Sequence, residues 1–428
     1  MTTILIAYRN FVRNGRRFIL LGLAIAGGFF VVTVLQSLID GVTNQINIRG
    51  ARFYGGQVMI LGYQKNPGLA KIGDEAPILK AIGNSGVKPE IISRRVLYGN
   101  DGVVFFNGDS VRMRRVIGMD WSVEGPAIGK MEFVSGDPNG MSDPHGILIS
   151  DVTAKRTGAR VGDQVTLQVT RDGGAIDTGT FIVKAIFREA SIFGYYTVYV
   201  DRASLNLLLG RPAGEEDMIG LYLRDYRQAD EVAARVLKAM SALMPVFPPL
   251  HNQNELDAAR AAPYQGFHYG TLTTMGFMSE IKTMIDALTL VSYAILVLLF
   301  VVVVAGIVNL YRVIIYERTK ELGTMRAVGM QRAQVRNLIL VEAFFLAVCS
   351  IAFGLVLSLG ALELLSLFRL NAVAGFDIFL DRGRLSWVMN LDTLGFDALL
   401  IALVTLIGAW SPARAAQAIE PVVALSAE

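Results

Sequence analysis

The chain has 428 residues, of which 53% are hydrophobic and only 18% are charged, and its mean hydropathy is +0.45. A soluble chain of this length needs more charge to cover its surface, so the composition indicates a membrane protein. The net charge of +3 comes without a dense basic tract, which excludes the usual pattern of a nucleic-acid-binding protein. The one cysteine, Cys349, excludes an internal disulfide and a cysteine-ligated zinc site.

The N-terminal residues 2–15 carry apolar side chains at helical spacing. Ile4, Leu5, Tyr8 and Phe11 share one face, and Arg9 takes the other. We expect a cytoplasmic amphipathic helix on the inner membrane surface. Residues 18–39 then carry no charge and are long enough to span a bilayer. A cleaved signal peptide is the alternative for this stretch, but the apolar run is longer than such peptides need.

Three further stretches predict membrane spans: residues 287–310, 343–362 and 394–410, the last with Asp397 near its start. Basic residues cluster before the first span and between the second and third. Both regions therefore belong in the cytoplasm, together with both chain termini, and residues 40–283 and 366–392 belong outside.

The external segment of about 240 residues is too long for a loop and predicts a folded domain. Strands are predicted at 57–61, 91–98, 103–106, 164–169, 181–187, 197–200 and 219–223, and helices at 77–82 and 228–243. The predicted fold is an α-helical membrane protein with four transmembrane helices plus a large external α+β domain. This domain is built from both ends of the segment, with a β-rich insertion at about 100–215.

The predicted boundaries follow from these patterns. They are the N-terminal helix 1–17, first span 18–40, external domain 41–283, second span 284–311, cytoplasmic coupling loop 312–336, third span 337–365, external loop 366–392, fourth span 393–411 and cytoplasmic tail 412–428.

No enzyme signature is present in the sequence. The segment 125–130 (GPAIGK) has the wrong spacing for a phosphate-binding P-loop, and Met131 stands where Ser or Thr is required. His145, His251 and His268 are far apart, and none lies in an H-E-x-x-H motif. We therefore expect a non-catalytic subunit without a metal or cofactor of its own.

The loop 316–336 reads YERTKELGTMRAVGMQRAQVR. It predicts that the second span continues as a helix to about Glu321, breaks at Gly323, forms a short helix through Val328 and turns at Gly329. From the residues alone, a helix that receives motion from a cytosolic partner and a merely solvated charged hairpin are equally favoured.

The run ERTKELGTMRAVGMQRAQVRNLILVEA at 317–343 resembles the signature of the FtsX-domain permeases of ABC transporters, the MacB-like (type VII) superfamily. Residues 411–425 resemble the family's C-terminal ending. Residues 158–167 and 198–201 resemble its external domain. The layout is most similar to the lipoprotein-release permeases.

The resemblance implies a permease of the bacterial inner membrane that pairs with a second copy or a paralogue. It implies a separate dimeric ABC ATPase, which binds ATP and Mg and drives motion through the spans without a substrate pore. The residues that match the family's docking and coupling segment are Glu317, Lys320, Glu321, Leu322, Gly323, Arg326, Val328 and Gly329, with Leu322 and Val328 as apolar contacts.

Small residues recur every four positions on two spans. Gly22 and Ala26 lie on the first span, and Ser350, Gly354 and Ser358 lie on the third. This spacing predicts close helix packing, with mere tolerance of small residues as the alternative. Glu342 is expected to pair with an arginine of the coupling loop.

The substrate implied by the resemblance is a lipoprotein or another lipidated or hydrophobic molecule taken from the outer leaflet, with membrane lipid and a periplasmic chaperone or adaptor as further partners. The alternatives are efflux of peptides or drugs through an adaptor, and a signalling permease that transports nothing and activates a cell-wall hydrolase. The hairpin at 171–179 is short and polar, which argues against a chaperone-recruiting hook.

Aromatic residues and methionines precede the second span at 264–278. They predict either an ordinary aromatic belt at the outer membrane surface or a flexible apolar substrate entrance. The entrance residues would be Phe267, Tyr269, Met275, Phe277 and Met278.

Overall fold

The computed structural model describes residues 15–65, 69–99, 102–171, 173–188, 196–368, 380–381 and 383–418, together with Ala7 and Arg9. Most of the predicted N-terminal helix 1–17, residues 369–379 and 382 of the external loop, and residues 419–428 of the predicted tail lie outside these residues. The chain divides into two units. A helical unit comprises Met1–Val42, Ile285–Leu370 and Arg384–Glu428, and a sheet unit comprises Thr43–Met284 and Asn371–Gly383.

The elements alternate between strands and short helices after one long first helix. In chain order they are α1 Gly15–Tyr54, β1 Val58–Gln64, β2 Leu69–Ala70, α2 Ala76–Asn84, β3 Ile91–Tyr98, β4 Gly102–Phe106, β5 Asp109–Met113, β6 Arg115–Met119, α3 Trp121–Ile128, β7 Phe133–Gly136, β8 Gly146–Ser150, α4 Asp151–Thr157, β9 Gln164–Thr170, β10 Ile176–Phe187, β11 Thr197–Asp201, α5 Arg202–Leu209, β12 Met218–Tyr222, α6 Ala229–Ser241, α7 Gln253–Ala261 and β13 Phe267–Thr273. The chain continues with α8 Thr274–Phe277, α9 Ser279–Glu317, α10 Thr319–Ala327, α11 Arg332–Leu367, β14 Leu380–Asp381, β15 Arg384–Leu385 and α12 Leu391–Gln417.

Four of the helices, α1, α9, α11 and α12, are long and apolar enough to cross a membrane. All four extend beyond the predicted spans, and α1 extends furthest because it continues to Tyr54. About half of residues 41–54 are polar, yet the helix continues through them and through Gly41 and Gly50. Hydropathy therefore marks where an apolar stretch ends, but it does not mark where the helix ends.

The end of α1 is set by two glycines. Gly55 and Gly56 have φ values of +92° and +147°, which side chains rarely tolerate. Both amide groups donate to the Ala51 carbonyl at 2.7 Å, and this closes the last turn. The chain then enters β1.

The large sheet has the strand order β13-β1-β12-β3-β6-β11-β8-β10-β9-β4-β5, with β2 paired to β1 and β7 paired to β10. Its first strands come from both ends of the segment, and β1 pairs antiparallel with both β12 and β13. Helices α2 and α6 pack on these strands around Ile78, Val232 and Val236. The insertion supplies the rest of the sheet. It joins the first strands through β3, which pairs with β12 on one side and with β6 of the insertion on the other.

The strands were well placed by their alternating pattern, since β3 coincides with the predicted 91–98. The prediction was too short for β10, which begins at Ile176 and not at 181. Its first five residues (IDTGT) lack a buried apolar side chain and are exposed or half-buried, but they pair with β9 from Ile176↔Thr170 onward. The insertion also holds the short helices α3, α4 and α5, which a mostly β prediction missed.

Candidate functional site

The loop between α9 and α11 folds as a short separate helix, α10. The chain breaks at Arg318, where φ is −100° and ψ is 12°. The predicted break at Gly323 is therefore wrong, because Gly323 lies buried in the middle of α10. The predicted turn at Gly329 is present with φ at +108°, and Gln331 and Gln334 form a capping box that starts α11.

The break at Arg318 coincides with an ion pair inside the helical unit. The Arg318 Nη1 donates to both carboxylate oxygens of Glu342 at 3.2 Å, and its Nε donates to Glu321 Oε2 at 3.0 Å. Burial opposes the charge on Arg318, but the Glu342 and Glu321 carboxylates together outweigh it and raise the pKa of the guanidinium above its usual value. The predicted pairing of Glu342 with a loop arginine is thus present, and it fastens the start of α10 to α11.

Helix α10 has one buried and one exposed face. Leu322 is 3% exposed and belongs to the apolar core formed with α1, α9, α11 and α12. The exposed face consists of residues at the helical spacing 0, 1, 4, 7 and 8: Lys320, Glu321, Thr324, Ala327 and Val328. Val328 is 85% exposed, so its apolar side chain is available for a contact on this face.

The predicted coupling residues therefore separate into two groups. Glu317, Lys320, Glu321, Val328 and Gly329 are exposed, and Arg326 is half-buried. Leu322 and Gly323 point into the helical unit, so the expectation that Leu322 supplies an apolar contact to a partner is corrected. Leu322 lies four residues after the buried Arg318 and shares its inward face.

Close packing joins α1 to α11 through the small residues. A Cβ atom added at Gly22 would lie 3.3 Å from Ser350 Oγ, and one added at Gly354 would lie 2.7 Å from the Ala26 carbonyl oxygen. The Ser358 hydroxyl donates to the Gly354 carbonyl at 2.8 Å. Any larger side chain at position 354 would separate the two helices.

The end of α1 is tied to the sheet by a buried ionic network that sequence reasoning missed. Arg95 on β3 and Glu124 on α3 have fully buried side chains and approach to 2.5 Å. Arg95 Nη1 donates to the Phe53 carbonyl at 2.8 Å, and the Tyr222 hydroxyl on β12 donates to Glu124 Oε2 at 3.2 Å. The network thus joins four elements: α1, β3, α3 and β12. Burial raises the pKa of Tyr222, so this hydroxyl remains a donor.

The predicted entrance residues belong to the sheet unit, and all of them are buried or half-buried. Phe267 and Tyr269 belong to β13, and Tyr269 and Met278 are only 7% and 5% exposed. Phe277 stacks on Tyr54 with ring centroids 4.9 Å apart, and Met275 is half-buried. The expected flexible surface segment is therefore a paired strand followed by a short helix. The pairing with β1, some 200 residues earlier, leaves no trace in the local sequence.

Among the described residues, no group of three or more His, Cys, Asp or Glu side chains is placed to hold a metal ion.

Two family descriptions match the chain. Residues 18–239, more than half of the sequence, match the MacB-like periplasmic core domain, and residues 293–421 match the FtsX-like permease C-terminal domain. The lipoprotein-releasing system transmembrane protein LolC of Haemophilus influenzae is 22% identical over 381 residues, which cover 86% of this chain and 87% of that one. The macrolide export ATP-binding/permease protein MacB of Burkholderia thailandensis is 31% identical over 141 residues, but they cover only 20% of that protein.

Among solved structures, the extracellular domain of the noncanonic ABC-type transporter YknZ from Gram-positive bacteria aligns over 43% of this chain, with 13% identity and a TM-score of 0.31. The periplasmic region of MacB from Actinobacillus actinomycetemcomitans aligns over 55%, with 9% identity and a TM-score of 0.30. These two alignments cover 93% and 96% of those chains. With an FtsX-like domain beside a MacB-like core domain, and with four helices able to cross a membrane, the chain belongs to the FtsX-like, MacB-like permeases of type VII ABC transporters.

Proposed function

We propose that this permease is driven by an ABC ATPase that docks on the exposed face of α10. The supporting observation is the division of α10 into an inward face, held by Leu322 and by Arg318–Glu342, and an outward face with Lys320 and Val328. A short helix pinned to its own bundle cannot move independently of it. A partner that displaces α10 therefore displaces α9 and α11 as well.

The sidedness follows from the charges of the loops. Arg312, Arg318, Arg326, Arg332 and Arg336 cluster between α9 and α11, which favours the cytoplasm for α10 and for both termini, in a bacterial inner membrane. In a Cys349→Ser background, we expect a cysteine at position 326 to react with an impermeant thiol reagent only after permeabilisation. A cysteine at Lys80 of the sheet unit should react without it.

The proposed cargo is a lipoprotein or another lipid-anchored molecule. The similarity to a lipoprotein-releasing protein covers most of both chains, whereas the similarity to a macrolide exporter covers only a fifth of the exporter's length. The α9 side chains Val297, Val301 and Val302 are apolar and exposed, so this face of α9 offers no polar lining for an aqueous route. Work done on a membrane anchor is consistent with both observations.

A second candidate is efflux of hydrophobic small molecules with a periplasmic adaptor. The higher identity of the shorter exporter match, 31% against 22%, favours it. The signalling alternative is less well supported because the sheet unit is large.

The test is reconstitution of the chain with its ATPase in liposomes that contain a fluorescent triacylated lipoprotein. We expect ATP-dependent release of the lipoprotein to an acceptor in solution. ATP-dependent loss of a macrolide from the vesicles, with no lipoprotein release, would favour efflux and contradict the proposal.

A further inference from the structure

A cavity of about 590 Å³ lies in the sheet unit beside the last turns of α1. This volume lies within the range of sites that hold small organic ligands. The floor is formed where β12 ends and β3 begins, around Tyr222 and Ile91, and the two walls are α1 and α3.

The walls are mainly apolar. On α1, Ile48 and Ala51 lie three residues apart on the face that lines the cavity, and on α3 the facing residues are Pro126 and Ala127. Leu223 extends the apolar floor. These side chains fit a hydrocarbon chain or another apolar body.

Cationic side chains converge on the same cavity from three different elements. Arg52 comes from α1, Lys130 follows α3 and Arg224 follows β12, whereas Glu90 is the only acidic residue in the lining. Lys130 and Arg224 are exposed, and neither side chain forms an ion pair with another described residue. Lys130 and Arg224 therefore add positive charge to a trough whose lining contains one carboxylate.

We propose that this cavity binds an anionic amphiphile, a molecule with a phosphate or carboxylate head group on a single apolar chain. Lys130 and Arg224 contact the head group through charge-assisted hydrogen bonds, and Ile48, Ala127 and Leu223 contact the chain. The site deepens the proposed function, because it names a ligand class for the sheet unit of a permease that acts on lipid-anchored cargo. Its floor residue Tyr222 also belongs to the Arg95–Glu124 network. A bound ligand therefore contacts a residue that is hydrogen-bonded to this pair, and Arg95 of the pair donates to the Phe53 carbonyl of α1.

The experiment uses the full chain in a neutral maltoside detergent and lysophosphatidylglycerol with a photoreactive acyl chain. Lysophosphatidylcholine with the same chain is the zwitterionic control probe. We expect the anionic probe to label peptides from 44–52, 126–130 and 222–226, about tenfold more strongly than the zwitterionic probe. Free glycerol phosphate should not compete, because it lacks the chain that the apolar walls hold.

The test variant is K130E/R224E, and the matched control is K80E/K238E, which makes the same change in charge at two exposed lysines of the sheet unit outside the cavity. Labelling should fall to background in the first and persist in the second, while K130Q/R224Q gives an intermediate level. Equal labelling by both probes, labelling at other peptides, or equal labelling of the two charge-reversal variants would overturn the proposal. A cross-link between two copies at this cavity without probe labelling would assign it to a protein partner and also overturn it. Since the assay contains no ATPase, failure of the α10 docking proposal leaves its outcome unchanged.

Discussion

The Arg95–Glu124 pair offers a sharp test of how α1 is held on the sheet. Arg95→Met removes the guanidinium that compensates the charge of Glu124. The Glu124 carboxylate stays fully buried, with the Tyr222 hydroxyl as its remaining partner. Breaking a buried pair from one side costs about 3–5 kcal/mol. For a domain of this size that is a fall of roughly 6–20 °C in Tm.

Tryptophan fluorescence can follow this transition in the sheet unit alone. The chain has three tryptophans, and Trp121 lies on α3, three residues before Glu124. In a W387F/W410F background, thermal unfolding therefore reports on the neighbourhood of the network. We expect R95M to unfold far below its parent.

Two controls separate the buried pair from a general loss of charge. R95M/E124M replaces both partners with apolar side chains and should return to within about 1–2 kcal/mol of the parent. Arg188→Met breaks the exposed pair Arg188–Glu132, whose side chains are 54% and 32% exposed, and should cost less than about 1 kcal/mol. If R95M changed Tm no more than Arg188→Met does, the network would not stabilise the attachment of the end of α1 to the sheet.

Gly354→Leu should lower the thermal stability of the helical unit by about 1–3 kcal/mol or more, because its Cβ alone would meet the Ala26 carbonyl. Gly360→Leu is the control, because a Cβ at position 360 would meet no atom within 4 Å. Equal Tm values for the two variants would contradict the packing account. Burial, followed by the neighbouring Glu75 carboxylate, raises the pKa of Glu216 to about 7, so the folded protein retains a proton that the unfolded chain releases. Stability should therefore fall as the pH rises from about 4.5 through 7, and Glu216→Gln should reduce this slope in Trp121-detected unfolding; an unchanged slope would refute the assignment.

Apolar runs and strand alternation predict the four long helices and seven of the fifteen described strands, because both patterns are local. The turn at Gly329 was predictable for the same reason, since a positive φ favours glycine. The break at Arg318 was not predictable, because it depends on a carboxylate 24 residues later.

The candidate sites show the same division. The segment containing α10 carries a recognisable motif, but only the structure separates the inward Leu322 from the outward Val328. The Arg95 network and the cavity beside α1 bring together residues that are 40 to 180 positions apart. The aromatic residues at 264–278 do not reveal the strand β13 in the sequence, because strands and membrane surfaces both favour aromatic side chains.

The central claim is that the outward face of α10 is the surface on which an ATPase drives this permease. The most direct measurement is the affinity of the purified ATPase for K320E/V328E in detergent, beside K80E/L207E, which makes the same two replacements at exposed positions of the sheet unit. We expect K320E/V328E to bind at least about 30-fold more weakly, as the loss of a contact worth roughly 2 kcal/mol implies, and K80E/L207E to bind like the parent. Parent-like affinity and ATP turnover with a correctly folded K320E/V328E would contradict the account.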